Sequence, residues 1–259
     1  MGKHRSRWDM EHYLRDLKNG VSQGKGSDYT PGITIHDFPS KGISSRIPGH
    51  TSNRISHCLS RNEEYYFIIQ DYDPDVLDIR EQFRLRLTET LDISSRFNIP
   101  HPRQGNFPSP ITTDFVITRR DGIQARTIKE TKELSDPRVL EKFSIEYQYW
   151  KERGIDWKVV TEKEINRDLA RNLQWLHAGP KASELIPDTK LREEASTLLL
   201  ELISEREFIF SSMLEIVEES LGLSYGSGIT LFKEMVLSKR VPLNLNRPIN
   251  FMNPFAEED

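Results

Sequence analysis

The chain has 259 residues, 36% hydrophobic and 29% charged, with a mean hydropathy of -0.60 and a formal charge of -4. No run approaches the roughly 18 apolar residues that cross a bilayer, and the opening MGKHRSRWDMEHYL has no apolar signal core, so the reading is a cytoplasmic protein without a membrane partner. Cys58 is the single cysteine, which excludes a disulfide framework and a thiolate zinc cluster.

In chain order, Met10, Tyr13, Leu14 and Leu17 follow helical spacing over Trp8–Asn19, with Gly20 as the stop. The glycine-rich GVSQGKGSDYTPG has no preceding strand and no GKS or GKT, so it reads as a connector and not a P-loop. Short extended pieces such as ITIHDF follow. Ser60 opens a helix, SRNEEYYFIIQDY, and VLDIREQFRLRL reads as a strand. A short helix over Thr90–Ile99 precedes two strands, Asp114–Arg120 and Ile123–Lys129. The next helix has Asp136 as N-cap, Pro137 in its first turn and Gly154 as its stop, with Leu140, Phe143, Tyr147 and Trp150 on one stripe. IDWKVV is a strand, and Thr161-x-x-Glu164 has capping-box form. This order gives an α/β (α+β) mixed sheet flanked by helices over residues 1–178. Residues 179–259 hold three helical patterns and then VPLNLNRPINF, a candidate wing, which suggests a small winged-helix-like domain.

Charge divides along the same line. Residues 1–60 carry nine Lys and Arg against five Asp and Glu, while residues 181–259 carry eight against 14. Phosphate contacts should favour the first two-thirds of the chain, and the acidic last third suits protein docking. Arg80, Arg84, Arg86, Arg119 and Arg120 are the candidate phosphate contacts, or else solvated surface arginines. A regular strand would put Arg80, Arg84 and Arg86 on one face.

The stretch TTDFVITRRDGIQARTIKETK carries the chemistry. With Asp121-Gly122 as a two-residue turn, Thr118 faces Ala125, Val116 faces Thr127 and Asp114 faces Lys129. Glu130-x-Lys132 has the opposite parity, so geometry favours Lys129 over Lys132 unless a bulge intervenes. A carboxylate beside an ammonium is either a cross-strand ion pair or part of a metal-dependent hydrolytic site. In the second case Asp114 would bind Mg²⁺ and Lys129 would orient water or stabilise charge. Glu63 would add a second carboxylate. It also stands at the third helical position after Ser60, where a capping box would use it, and Glu64 is its neighbouring alternative.

The glycine-rich run from Gly20 to Pro31, then VLDIREQF, TDF, IK…LSDPRVLEKFSIEYQYW and TEKEIN, occur in that order. Together they resemble the TnsA family, the endonuclease subunits of heteromeric cut-and-paste transposases, over roughly Gly20 to Leu176. The resemblance implies a restriction-endonuclease-like core with Glu63, Asp114 and Lys129 as catalytic residues. Glu63 and Asp114 would bind Mg²⁺, as two ions. It implies cleavage of the 5′ strands at double-stranded transposon ends, a DDE transposase subunit that cuts the 3′ strands, and an AAA+ ATPase regulator reached through the C-terminal domain. Thr127 departs from the glutamine of some relatives, and Ser22 stands where relatives can have glycine. Three other readings remain beside this one: a stand-alone restriction-type nuclease, a non-catalytic DNA-binding adaptor, and a regulator reading DNA through Ser227–Arg240.

Overall fold

Residues 9–37, 44–205 and 208–249 are described by a computed structural model, and the chain divides into two units, Met1–Ile165 and Asn166–Asp259. In the first unit, α1 (Met10–Lys18) is capped by Asp9, whose side chain accepts from the His12 amide. The glycine-rich segment follows as an irregular loop. The piece ITIHDF forms no strand in its described part, residues 33–37, and its last residue lies outside the described set. Strands β1 (Ser45–Gly49) and β2 (Arg54–Cys58) form an antiparallel hairpin. Helix α2 (Arg61–Tyr72) starts at Ser60, as its capping pattern predicts.

The central sheet comprises β3 (Val76–Arg84), β6 (Thr112–Arg119), β7 (Gly122–Ile128) and β8 (Asp156–Val160), in that order. Its first three strands are antiparallel and β7 runs parallel to β8, so the sheet is mixed as expected. Between β3 and β6 lie α3 (Leu87–Arg96) and the two-residue strands β4 (Arg103–Gln104) and β5 (Phe107–Pro108). Helix α4 (Pro137–Lys151) supplies the crossover that a parallel β7–β8 pair requires. Leu85, Ile93, Ile111, Val116, Ala125, Ile145, Tyr149 and Trp150 form a buried core between the sheet and α3 and α4. Elsewhere in the unit Phe115 of β6 meets Phe67 of α2, with ring centroids 6.4 Å apart.

Three expectations change here. The β6–β7 register is displaced by two residues: Thr118 faces Ile123 and Val116 faces Ala125. Arg119 pairs with Gly122, so Arg120 and Asp121 make the turn, and Gly122 takes a φ of 145° that suits glycine. The α4 stripe is rotated, since Leu140 and Tyr147 are exposed and Glu146 is buried with Phe143 and Trp150. Thr161 and Glu164 do bond to each other, at 2.5 Å from the Thr161 amide, but they close a turn. The helix itself, α5 (Arg167–His177), begins after Asn166, whose side chain accepts from the Leu169 amide.

Helix α5 belongs to the second unit, so the division falls at Ile165/Asn166 and not at 178/179. That unit continues with α6 (Ala182–Leu185), α7 (Thr189–Glu205), α8 (Phe210–Ser220) and α9 (Ser227–Leu237). Phe210 and Phe232 pack edge to face at 4.6 Å. The expected wing is not formed among the described residues: residues 241–249 run as turns and irregular chain. The Asn172 amide donates to the Leu245 and Arg247 carbonyls, which occupies two acceptors of that segment. Helix α9 is largely buried, with Lys233 bonded to the Ala178 carbonyl and Arg240 paired with Glu193. No helix is long and apolar enough to cross a membrane among the described residues.

Candidate active site

Glu63 both caps α2 and joins the site. The Ser60 hydroxyl oxygen accepts from the Glu63 amide at 3.2 Å, which is the expected cap. The returning carboxylate does not take the Ser60 amide. It accepts from the Leu59 amide at 2.9 Å and from the Ser60 hydroxyl at 2.9 Å. One oxygen then also accepts from Gln82 Nε2 at 3.1 Å. Glu64 faces other partners, Ser45 at 2.6 Å and Arg61 at 3.0 Å.

Asp114 reaches the same amide, with Gln82 Nε2 3.3 Å from its Oδ1. Its Oδ2 accepts from the Ile128 amide at 2.7 Å, beyond the last β6–β7 pair, Phe115 with Arg126. Glu63 and Asp114, 51 positions apart in the sequence (63 to 114), thus hang on one neutral amide group.

Regular alternation would not produce this convergence. In a flat strand Thr113 and Phe115 share a face. Here Thr113 bonds to Glu146 and Trp150 of α4, while Phe115 packs on Phe67 of α2. Opposite them, Glu81 bonds to Arg54 and His57 of β2, while Phe83 stacks with Trp150 at 5.6 Å. Both strands therefore break alternation at one level, Asp114 on β6 and Gln82 on β3. Gln82 has a φ of 49°, left-handed backbone that a non-glycine residue adopts rarely and with strain.

Lys129 lies just past β7, its amide bonded to the Val160 carbonyl of β8. Its ammonium pairs with Glu133, and its charge reaches Asp114. Lys132 pairs with Glu130 at 2.5 Å and is 76% exposed. The parity argument thus carries Lys129 to the Asp114 side, although the direct pairing of the two is displaced with the register. Thr127 stands behind the site, donating to Glu146 at 3.1 Å and accepting from Trp157 at 3.2 Å.

Glu146 and Lys142, one turn apart on α4, were not foreseen. Glu146 is fully buried and accepts from Thr113 at 3.2 Å as well as from Thr127. The one sequence signal for it was a carboxylate at helical spacing between Phe143 and Trp150. The electrostatics are those of an anionic pocket. Burial, then the charge of Asp114, pushes Glu63 up to about 8. Burial raises Asp114 as well, against the Lys142 charge and the Ile128 amide. Burial pushes Glu146 up to about 7, opposed first by Lys142. Two carboxylates joined through a neutral donor, Glu63 buried and Asp114 half-buried, with the Lys142 and Lys129 charges acting on Asp114, fit a Mg²⁺ site of one or two carboxylates completed by water and phosphate. Among the described residues no cluster of three or more His, Cys, Asp or Glu side chains is placed to hold a metal.

The arginines separate. Arg84 is corrected to a structural role: it is buried, paired with Asp16 at 2.9 Å and bonded to the Gly32 carbonyl at 2.6 Å. Arg80 is mostly buried, 3.3 Å from Asp78 and over the Phe83 ring. The turn at Gln82 removes the single face expected for Arg80, Arg84 and Arg86. Arg119 pairs with Asp73 at 2.9 Å, and Arg120, 68% exposed, lies 3.6 Å from Asp75.

Comparison with known proteins bears on both units. A family model described as TnsA-like endonuclease N terminal matches residues 73–162, and one described as TnsA endonuclease C terminal matches residues 164–245. Asp114 and Lys129 fall inside the first match, and Glu63 lies before it. The Transposon Tn7 transposition protein TnsA of Escherichia coli is 36% identical over 181 residues, 69% of this chain and 66% of its own length.

Proposed function

The chain belongs to the TnsA endonuclease family, and from that premise we propose that it is a Mg²⁺-dependent endonuclease that hydrolyses DNA at transposon ends. The observation that carries this reading is the shared hydrogen bonding of Glu63 and Asp114 to one neutral amide, where burial raises both carboxyls. Glu63 and Asp114 would hold the metal, taken as two Mg²⁺ ions. When bound, Mg²⁺ supplies charge stabilisation to the phosphoryl oxygens and acidifies water.

The chain's own residues account for the rest. The Leu59 and Ile128 amides fix one oxygen of each carboxylate, so the pair is oriented before substrate arrives. Lys129, one third exposed and now on Glu133, would exchange that partner for the scissile phosphate and stabilise its developing charge. Glu146, held by two hydroxyls, keeps Thr113 and Thr127 fixed behind the reacting face. Arg119 and Arg120 would track the DNA backbone by exchanging their aspartate partners for phosphates. The strand specificity proposed is the 5′ strand, in company with a DDE transposase and an ATPase regulator, the latter meeting the acidic second unit.

A duplex transposon end labelled separately on each strand tests the reading. Incubated with the whole protein, a partner transposase and Mg²⁺, it should be nicked on the 5′ strand, and chelation of Mg²⁺ should stop that cut. Binding without any cut, in Mg²⁺, would favour the non-catalytic adaptor.

A further inference from the structure

Gln82 holds Glu63 and Asp114 together at a strained backbone position. Its Nε2 lies 3.1 Å from Glu63 and 3.3 Å from Asp114, where a cation shared by the two would also sit. Its Oε1 lies 3.4 Å from the Thr112 hydroxyl. Gln82 is buried, and its φ of 49° turns the side chain out of strand alternation toward the carboxylates.

The glycine-rich loop maintains that turn. The Gly32 amide donates to the Gln82 carbonyl at 2.9 Å. A Cβ on Gly32 would stand 2.7 Å from that same oxygen and 2.9 Å from the Arg84 Cβ, so no other residue fits without displacement. Ser22 adds a bond from the next strand amide, Arg84, at 2.9 Å. The glycine-rich connector is thus committed to the backbone at Gln82 and Arg84. Strain kept by such support points to a use.

We propose that Gln82 is a cation-binding residue with two settings: its amide N–H group holds the carboxylate pair when no cation is bound, and its carbonyl turns to the cation when one is. A terminal amide rotated by half a turn exchanges donor for acceptor at one point in space. The Thr112 hydroxyl accommodates both settings, since a hydroxyl donates to the carbonyl or accepts from the amine. A leucine would fill the space and do neither, and a glutamate would offer the acceptor alone. The proposal rests on the assignment of Glu63 and Asp114 as cation ligands.

Mn²⁺ titration calorimetry of the whole protein without DNA tests it, on wild type, Gln82→Leu, Gln82→Glu and Asp114→Ala. Even residues that only support a metal's ligands typically change its affinity by about 10–100-fold. Gln82→Leu should weaken Mn²⁺ binding by about tenfold or more, and Gln82→Glu should bind at least as tightly as wild type. A purely structural Gln82 would lower the melting temperature yet leave the Mn²⁺ affinity of the folded Gln82→Leu protein unchanged, which overturns the proposal. If Asp114→Ala also binds like wild type, the carboxylate assignment falls and the proposal with it. The rotation has its own readout. The Gln82 side-chain amide protons, assigned by their loss in Gln82→Leu, should shift when Mg²⁺ saturates the protein, and unmoved resonances would contradict the two settings.

Discussion

The β6–β7 hairpin and the β3–β6 crossing share a strand but obey different rules. Along the hairpin from Phe115 to Arg119, pairs run without interruption to Gly122, and Val116 and Ala125 enter the core as alternation requires. At the crossing, Gln82 and Asp114 leave alternation together and meet Glu63 from α2. The regular ladder builds the platform, and the irregular level holds the ionisable groups. Such a departure is expected where a site has to aim side chains that a pleated sheet would send apart.

If the chemistry belongs to the irregular level, Asp114 should be the most costly position. Asp114→Asn retains an acceptor for the Ile128 amide but removes the charge. It should reduce 5′-strand cleavage by on the order of 10³-fold while the protein still folds. Thr118→Val, three residues into the regular part of the same strand from Phe115, removes a buried hydroxyl that has no hydrogen-bond partner among the described residues. It should leave cleavage within about twofold and stability equal or higher. Strand-resolved cleavage and thermal melting of the two variants together measure the contrast.

The lysines sharpen it next. Lys129→Ala should lose about 10²–10³ in cleavage rate, as for loss of a transition-state charge donor. Lys132→Ala should keep most activity, because its ammonium is committed to Glu130 at the surface. Single-turnover rates in reconstituted transposase decide it, and the reverse result would make Glu130-x-Lys132 the working pair.

A smaller effect should appear in stability. Glu63 is held at about 8, above its unfolded value of 4.5, so the folded state binds the extra proton across that window. Stability without metal should therefore fall as pH rises from about 5 to 8, because ionisation then favours the unfolded chain. Glu63→Gln keeps a side chain accepted in capping and removes the titration, so its melting temperature should change less with pH over that window. Equal pH slopes in wild type and Glu63→Gln would show that Glu63 does not titrate there.

Much of this organisation was legible in the sequence. Ser60 and Asp136 cap helices where local hydrogen bonding dictates, and Pro137 takes a place in the first turn. The register slipped because Arg120 and Asp121 form the turn while Gly122 joins the strand, a one-residue shift of the turn that moves every pair by two. Glu146 was hidden because a glutamate on a helix reads as solvated, and its burial depends on Thr113 and Thr127 from two other strands. Arg84 was misread for the same reason, since Asp16 and Gly32 arrive from distant segments. Gln82 carried no local signal: its conformation is set by Gly32 and its contacts by residues 63, 112 and 114.

The most direct test of the Glu63–Asp114 pair as the cation site is an anomalous difference map from a crystal of the wild-type protein soaked in Mn²⁺. The account predicts a peak bonded to a carboxylate oxygen of Glu63 and one of Asp114, at about the 2.0–2.2 Å expected for a small divalent cation. No peak there, or a peak on Glu130 and Glu133 instead, would contradict it.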